Sequence, residues 1–219
     1  MEGLRLLFML GSNIGGIDEA GKGAVFGSLF VVLTHSSYTE KKTREILTNL
    51  GVKDSKLLSR SKRIEIINEI RKDPGFKITI KELDSNLIDS YVVDQRLNQL
   101  LYKTNLELIK DSQELTQDTV IYIDSFTTPA KLHLSLYNDL KRYTPLTQLN
   151  NLIVENKADT KYLITGLASI FAKEAREESI DASGLRDKIG SGYPSDERVK
   201  NYIINNIKDY KNKQLKSIR

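Results

Sequence analysis

The chain carries, near its beginning, the stretch Gly15-Gly16-Ile17-Asp18-Glu19-Ala20-Gly21-Lys22-Gly23. Two adjacent carboxylates stand where an apolar strand is predicted to end, and a loop with glycine at alternate positions follows at once. Carboxylate oxygens can hold a divalent cation, and glycine lets backbone N–H groups approach a ligand closely. The stretch therefore predicts a site, at the end of a strand, that can act on a phosphate group.

Residues 16–22 also fit the pattern G-x-x-x-x-G-K of a nucleotide-binding loop. Such a loop needs a hydroxyl residue after its lysine to bind Mg²⁺, whereas Gly23 stands at that position. Asp18 and Glu19 would also lie inside the loop and would repel a triphosphate by about 4 kcal/mol per charge pair at a partly buried site. The sequence therefore disfavours an NTPase, which stays open as the alternative enzyme class.

The composition limits the chemistry that the chain can perform. It has 219 residues and a formal net charge of +4, the length of one large domain or of a domain with an appendage. It contains no cysteine and only two histidines, His35 and His133, which excludes disulfides, thiolate nucleophiles and thiolate zinc sites. A bound metal would need oxygen ligands, which favours Mg²⁺ or Mn²⁺. The mildly basic charge is compatible with a polyanionic partner.

Hydrophobic periodicity predicts strands and helices that alternate along the chain. The predicted strands span residues 13–17, 24–33, 76–80, 119–123 and 152–154. The predicted helices span residues 59–71, 90–110, a segment opened by Pro129, 161–178 and 196–210. This alternation indicates an α/β fold with one main sheet.

Acidic residues follow three of the apolar runs, since Asp18, Asp124 and Asp159 each come after a predicted strand. Carboxylates at one edge of a sheet repel one another, and a divalent cation, or two of them bound as a pair, would relieve that repulsion. Successive strand residues face opposite ways, so we expect Asp18 and Glu19 to share a site only if a turn begins between them. The alternative is that each acid is an ordinary turn or cap residue; Asp159 in particular could cap a helix that begins at Lys161.

Six motifs resemble, in the same order, those of the ribonuclease HII family, the type 2 ribonucleases H. They are residues 16–23, Asp54-Ser55-Lys56-Leu57-Leu58-Ser59, the strand ending at Asp124, Asn156-Lys157-Ala158-Asp159-Thr160-Lys161-Tyr162, Ala168-Ser169-Ile170-Phe171-Ala172-Lys173 and Gly190-Ser191-Gly192-Tyr193-Pro194-Ser195-Asp196. The resemblance covers residues 14–199 and leans toward the archaeal branch of the family.

The resemblance implies a ribonuclease H-like mixed five-stranded sheet flanked by helices, with a catalytic domain at residues 1–180 and a small helical segment at 181–219. It implies an endonuclease that cleaves the RNA strand of RNA–DNA hybrids and cleaves at ribonucleotides embedded in duplex DNA. The implied reaction is hydrolysis with two metal ions, Mg²⁺ or Mn²⁺, that leaves a 3′-hydroxyl and a 5′-phosphate. Four residues match the family's metal-binding acids: Asp18, Glu19, Asp124 and Asp159.

The family's glycine loop corresponds to Gly21, Lys22 and Gly23, and the resemblance implies that it contacts the ribose 2′-hydroxyl largely through its backbone. The family usually has arginine where Lys22 stands, and lysine lacks the bidentate guanidinium fork. If the side chain itself held a phosphate, this substitution would weaken binding or selectivity. Glycines on both sides favour the backbone interpretation.

Tyr193 matches the family's tyrosine that stacks on the sugar of the following deoxynucleotide and so detects the junction of RNA with DNA. Lys56 and Lys173 lie in matching motifs and are candidates for phosphate contact, with an ordinary solvated lysine as the alternative for each. A hybrid-binding module without catalysis is a third functional class, and the presence of all four acids argues against it.

No stretch of the chain approaches the roughly 20 apolar residues that span a bilayer. The apolar run at residues 4–10 is short for a signal peptide, so a cytoplasmic location without membrane contact is the default expectation. We also expect a monomer, and no sliding-clamp-binding motif is evident beyond Tyr210.

Overall fold

The computed structural model describes residues 13–141 and 151–211, with side chains through residue 206. In this part of the chain, strands β1 (Ile14–Ala20), β2 (Leu29–Ser36), β3 (Phe76–Leu83), β4 (Val120–Asp124) and β5 (Leu152–Glu155) form one sheet in the order β3-β2-β1-β4-β5. β1 pairs antiparallel with β2 and parallel with β4; β2–β3 is antiparallel and β4–β5 parallel. The predicted mixed five-stranded sheet is therefore confirmed.

Helices cover both faces of the sheet. They are α1 (Glu40–Asn49), α2 (Arg60–Lys72), α3 (Ser85–Val92), α4 (Leu97–Asp111), α5 (Pro129–Leu140), α6 (Ala158–Lys161), α7 (Leu163–Ala182), α8 (Arg186–Ile189) and α9 (Glu197–Lys211), together with a 3₁₀ turn at Ser55–Leu57. Among the described residues, no helix combines the length and the apolar character that crossing a membrane requires. The apolar run at residues 4–10 and the tail at residues 212–219 lie outside the described residues.

Alternate strand residues enter two hydrophobic clusters, one on each face of the sheet. Ile17, on one face of β1, belongs to the cluster that α3, α4 and α5 cover. Tyr122, on the opposite face of β4, belongs to the cluster that α1, α2 and α7 cover. A third cluster joins Phe26, just before β2, to Val199 of α9 and to the end of α7. The C-terminal segment therefore packs against the region that follows the glycine loop.

Helix α7 lies directly on β1, and Gly16 makes this close approach possible. A Cβ atom at Gly16 would lie 2.6 Å from the carbonyl group of Ile164 and from the backbone nitrogen of Thr165. The Thr34 hydroxyl donates to the Ile164 carbonyl at 2.8 Å, and the Thr165 hydroxyl donates to the carbonyl of Tyr122 at 3.3 Å. The first turn of α7 is thereby fixed to the centre of the sheet.

The predicted start of β2 at residue 24 is wrong, because the strand begins at Leu29. The backbone N–H groups of Val25 and Phe26 instead donate to the carbonyl of Gly192, at 2.8 and 3.2 Å. Residues 24–28 are thus held by the C-terminal segment, and a local pattern of apolar residues does not reveal a partner so far along the chain.

Two predicted helices are each divided in the structure. The helix predicted at residues 90–110 is α3 and α4 in the structure. The two are separated near Gln95, whose φ of 56° ends a right-handed helix, and Val93 at this break is 82% exposed. The helix predicted at residues 161–178 is interrupted at Tyr162, whose backbone is extended. The ring of Tyr162 stacks on that of Tyr122, with the ring centroids 4.1 Å apart, and its hydroxyl donates a hydrogen bond to Glu155 at 3.0 Å. Tertiary contacts therefore override helical periodicity at Tyr162.

The remaining predicted elements are confirmed to within a few residues. Pro129 opens α5 as predicted, and the leucines at 132, 136 and 140, which recur every four residues, are buried. Ser59 caps α2, in which Ile67 and Ile70 are buried but Ile64 is 40% exposed. Helix α7 continues to Ala182, so the predicted domain boundary at residue 180 falls within this helix.

We expect Gly16→Ala to lower the free energy of unfolding by about 3 kcal/mol or more, because the added methyl group would collide with the backbone of α7. Denaturant titration measures this loss. Gly23→Ala is a suitable control, since a Cβ there would meet nothing within 4 Å, and its effect should stay within about 0.5 kcal/mol. Equal stability of the two variants would contradict the close packing of α7 on β1.

Candidate active site

All ten site residues that the sequence predicts line one cavity of about 380 Å³, at the end of the sheet where β1 and β4 finish. They are Asp18, Glu19, Gly21, Lys22, Gly23, Lys56, Asp124, Asp159, Lys173 and Tyr193. The structure thus brings together residues from β1, β4, α6, α7, the 3₁₀ turn and the segment between α8 and α9. The positions of these residues along the chain do not by themselves place them close together in the fold.

Asp18 and Glu19 reach the same cavity without a turn between them, so that expectation is wrong. β1 continues through both residues and stays paired with β2 as far as Ala20. Its pairing with β4, however, ends at Ile17 and Ile123. Among the described residues, no strand pairs with β1 on this side beyond that point, and both Asp18 and Glu19 line the cavity there.

On the α7 side of β1, Asp18 is 5% exposed and is hydrogen-bonded by the hydroxyl of Ser169. Its Oδ1 also accepts a hydrogen bond from the backbone N–H of Glu19 at 2.8 Å. The hydroxyl oxygens of Ser169 and Ser55 are 3.0 Å apart, which connects α7 to the 3₁₀ turn that carries Lys56. These two serines belong to motifs that the sequence singles out, but their role in the site was not predicted.

Asp124 and Asp159 are linked through the backbone of α6. Asp124 ends β4, and its Oδ1 accepts a hydrogen bond from the N–H of Ala158 at 2.7 Å. Lys157, with a φ of 59°, turns the chain into α6, so that Asp159 lies in the first turn of this short helix. The alternative in which Asp159 caps a helix beginning at Lys161 is therefore wrong. Asp124 instead fixes the helix that carries the next acid.

Burial and mutual repulsion raise the pKa values of three of the four acids. Burial, followed by the charge of Glu19, raises the pKa of Asp18 well above its usual value. Burial, together with the charges of Asp124 and Asp159, raises the pKa of Glu19 to about 7, despite the opposing charge of Lys22. Burial also raises the pKa of Asp124. At neutral pH the cavity therefore holds negative charge at an energetic cost that a cation would relieve.

The ligand atoms that the acids offer are all oxygens, which hard divalent cations such as Mg²⁺ and Mn²⁺ prefer. As the side chains stand, no three acidic or histidine groups within residues 13–141 and 151–211 lie close enough together to hold one ion. The carboxylate oxygens and their unfavourable negative charge thus fit divalent cations. Binding of such cations would draw the acidic side chains toward one another.

The side chain of Lys22 is bonded to the protein. Its Nζ donates to the carbonyl oxygen of Phe126 at 2.8 Å and lies 5.6 Å from the centre of the Phe126 ring. This contact joins the glycine loop to the segment that follows β4. The ammonium group of Lys22 is thereby engaged within the protein.

Lys56 and Lys173 provide positive charge on the side of the cavity formed by the 3₁₀ turn and α7. Lys56 is exposed, whereas Lys173 is half-buried. Burial lowers the pKa of Lys173, and the nearby charge of Arg63 lowers it further. Both lysines face the cavity that holds the acids, so they could approach a phosphate that reaches those acids.

Arg176 and its neighbour Glu177 are charged residues of this cavity that sequence reasoning missed. Arg176 lines the cavity from α7 and is 3% exposed. Ser169, Lys173 and Arg176 follow one another at intervals of four and three residues, which places them on one face of a helix. That spacing was the available signal, but it does not distinguish a residue of the site from one buried in the core.

Comparison with known proteins identifies the family of this chain. The family model described as Ribonuclease HII matches residues 15–218. The Ribonuclease HII of Methanocaldococcus jannaschii is 33% identical over 203 residues, covering 90% of this chain and 86% of that protein. The Ribonuclease HII of Archaeoglobus fulgidus is 36% identical over 191 residues, covering 86% and 83%.

Similarity extends to three dimensions. The ribonuclease chain in the structure of the PCNA:RNase HII complex from A. fulgidus superposes with a TM-score of 0.76 and 31% identity, covering 94% of this chain and 93% of that one. The two chains therefore share the same fold over most of their lengths. The chain belongs to the ribonuclease HII family of ribonuclease H endonucleases.

Proposed function

We propose that this protein cleaves the RNA strand of RNA–DNA hybrids, and cleaves at ribonucleotides embedded in duplex DNA, leaving 3′-hydroxyl and 5′-phosphate ends. Membership of the family supports ribonuclease H activity on hybrids. The observation that carries the finer proposal is that one cavity is lined by the four acids, the glycine loop and Tyr193. A phosphate attacked at the acids would then lie beside groups able to contact a ribose.

In this proposal Asp18, Glu19, Asp124 and Asp159 hold two divalent cations, Mg²⁺ or Mn²⁺. When bound, such ions lower the pKa of a water molecule and stabilise negative charge on the phosphate. Support comes from the raised pKa values of three of the acids and from their oxygen ligands. Asp124 also keeps α6 in place through the Ala158 N–H, so it positions Asp159 as well.

The residues around the acids bind and orient the substrate. Backbone groups of residues 21–23 contact the 2′-hydroxyl, the one group that distinguishes RNA from DNA at a given nucleotide. Lys56 and Lys173 attract the phosphates of the duplex. Tyr193 presents its ring to the sugar on the far side of the cut. A cytoplasmic location, a monomeric state and the absence of a clamp-binding motif stay predictions; the last concerns residues largely outside the described ones.

The two alternative classes have less support. The NTPase would need the loop lysine on a triphosphate, whereas Lys22 donates to Phe126 and stands next to the acids. The non-catalytic binding module would have no use for four carboxylates in one cavity, three of which are held there at an energetic cost.

We expect Asp124→Asn to reduce cleavage by at least about a hundredfold, because the variant loses a ligand charge. Asparagine retains the Oδ1 that accepts from Ala158, so the fold and hybrid binding should persist. The assay uses duplex DNA with one ribonucleotide, in Mg²⁺, Mn²⁺ or chelator, and maps the cut. Asp111→Asn, which changes an exposed acid of α4, should cleave as the unmodified protein does. Unchanged cleavage by Asp124→Asn would contradict the assignment.

We expect Glu19→Gln to stabilise the cation-free protein at pH 8. The pKa of Glu19 is about 7 in the folded state against 4.5 for a free glutamate, so the folded state binds more protons between these values. Stability is therefore lost as pH rises through this window. Removing the charge should restore about 2–3 kcal/mol at pH 8 and almost nothing at pH 4.

Thermal unfolding in chelator, at pH 4 and pH 8, measures this difference. Glu82→Gln alters an exposed glutamate of β3 and should change stability little at either pH. Added Mg²⁺ should stabilise the unmodified protein more than Glu19→Gln, because the variant lacks one ligand. A Glu19→Gln protein that is less stable in chelator at pH 8 would rule out this account of the site.

We expect Tyr193→Ala to lower the preference for cutting at an RNA–DNA junction about tenfold while hybrid binding changes less, since loss of a stacked ring costs about 1–3 kcal/mol. Mapping cuts on a duplex whose RNA run is followed by DNA measures this preference. Tyr193→Phe keeps the ring and should keep most of the preference. An unaltered cutting pattern in Tyr193→Ala would exclude the stacking role.

A further inference from the structure

Arg176 is a buried cation whose partners are mainly backbone carbonyls. Its Nη1 donates to the carbonyl of Ser28, and its Nη2 donates to the carbonyls of Phe26 and Ser191, each at 2.9 Å. In the part of the chain that the structure describes, it forms no ion pair with a carboxylate. Burying a charge without a direct ion pair is costly, so a guanidinium held in this way indicates that its several fixed N–H donors are needed here.

The three carbonyls belong to two segments far apart in sequence. Phe26 and Ser28 lie between the glycine loop and β2, and Ser191 lies just before Tyr193. The same two segments are paired directly, because the carbonyl of Gly192 accepts from the N–H groups of Val25 and Phe26. The guanidinium thus holds the chain that follows the glycine loop against the chain that presents Tyr193.

Tyr193 is held by this arrangement on two sides. The guanidinium carbon of Arg176 lies 4.9 Å from the centre of the tyrosine ring, and the two side chains are also hydrogen-bonded. The tyrosine hydroxyl accepts from the backbone N–H of Gly21 at 3.1 Å. One contact therefore fixes the ring and the other joins its hydroxyl to the glycine loop.

The packing around the guanidinium leaves it little freedom. A Cβ at Gly192, where φ is +75°, would lie 2.7 Å from Nη2 of Arg176. A Cβ at Gly27, where φ is +85°, would lie 3.1 Å from Nη1. Glycine at these two positions lets both segments close on the same side chain.

We propose that Arg176 is a positioning residue that couples the glycine loop to Tyr193 and thereby sets the selectivity for a ribonucleotide followed by DNA. The inference rests on the proposed function, in which the loop contacts the 2′-hydroxyl and Tyr193 contacts the next sugar. The distance between these two contacts selects the junction, and Arg176 holds that distance. Lysine cannot reproduce it, because one ammonium group does not span both segments in the plane of a guanidinium.

The test compares two substrates, a duplex with one ribonucleotide and a hybrid with a continuous RNA strand. The measured quantity is the ratio of kcat/KM for the first to that for the second. We expect Arg176→Lys to lower this ratio about tenfold, within the range of coupling between residues in contact. In a Tyr193→Ala background the same change should alter the ratio less than twofold, because the residue through which Arg176 acts is already lost.

Arg63→Lys is the matched control for loss of a buried arginine. Arg63 is 5% exposed, donates to the carbonyl of Leu58 and pairs with Glu174, so its replacement should cost stability but leave the ratio unchanged. Hydrogen exchange gives a second readout. Arg176→Lys should speed exchange at residues 20–28 and 190–195, whereas Arg63→Lys should speed it only elsewhere. If Arg176→Lys does not fold, Gly27→Ala, whose methyl group presses on Nη1, replaces it with the same expectations.

The inference would be overturned if the ratio of kcat/KM values were unchanged in Arg176→Lys, or in Gly27→Ala where that variant is used instead. So would a tenfold loss of equal size with and without Tyr193, because Arg176 would then act independently of that ring. An unmodified protein that cleaves neither substrate in Mg²⁺ or Mn²⁺ would overturn the proposed function, and the inference with it. Cleavage by the unmodified protein separates that failure from a failure of the inference alone.

Discussion

The close approach of α7 to β1 at Gly16 is the constraint on which the rest of the structure depends. With no side chain at this position, the helix backbone lies against the middle strand of the sheet, and threonine hydroxyls bond the two elements together. The direction of α7 then determines where its later turns reach. Ser169, Lys173 and Arg176 arrive at the end of the sheet where β4 has stopped and β1 continues. A packing contact deep in the core therefore decides the composition of the site.

The site itself works against the stability of the fold. Asp18 and Asp159 are almost fully buried, and burial together with repulsion raises the pKa values of Asp18, Glu19 and Asp124. Such an arrangement is unfavourable for a structural core but favourable for a site that binds cations. The two extensive hydrophobic clusters on the faces of the sheet stabilise the fold and offset this unfavourable charge at the edge of the sheet.

The C-terminal segment is part of the site and not a separate appendage to it. Gly192 pairs with the chain that follows the glycine loop, and Arg176 bonds both segments. A third hydrophobic cluster, which includes Phe26 and Val199, packs next to these contacts and stabilises them. Tyr193 and Gly21, although 172 positions apart, are thereby held at hydrogen-bond distance. In the proposed function, recognition of the substrate would therefore depend on the same contacts that hold the C-terminal segment to the rest of the fold.

Periodicity and residue chemistry alone determined the α/β alternation, the buried leucines of α5 and the oxygen-only character of any metal site, because these follow from neighbours along the chain. The order of the six motifs along the chain indicated that the four acids, the glycine loop and Tyr193 belong to one site. Only the tertiary structure decided that β1 continues past Asp18, that β2 starts at Leu29, that the helix breaks at Tyr162 and that Arg176 belongs to the site. Each of these depends on a distant partner; the carbonyl of Ser28, for example, lies 148 positions from Arg176. Local pattern carries no information about such a partner until the chain has folded.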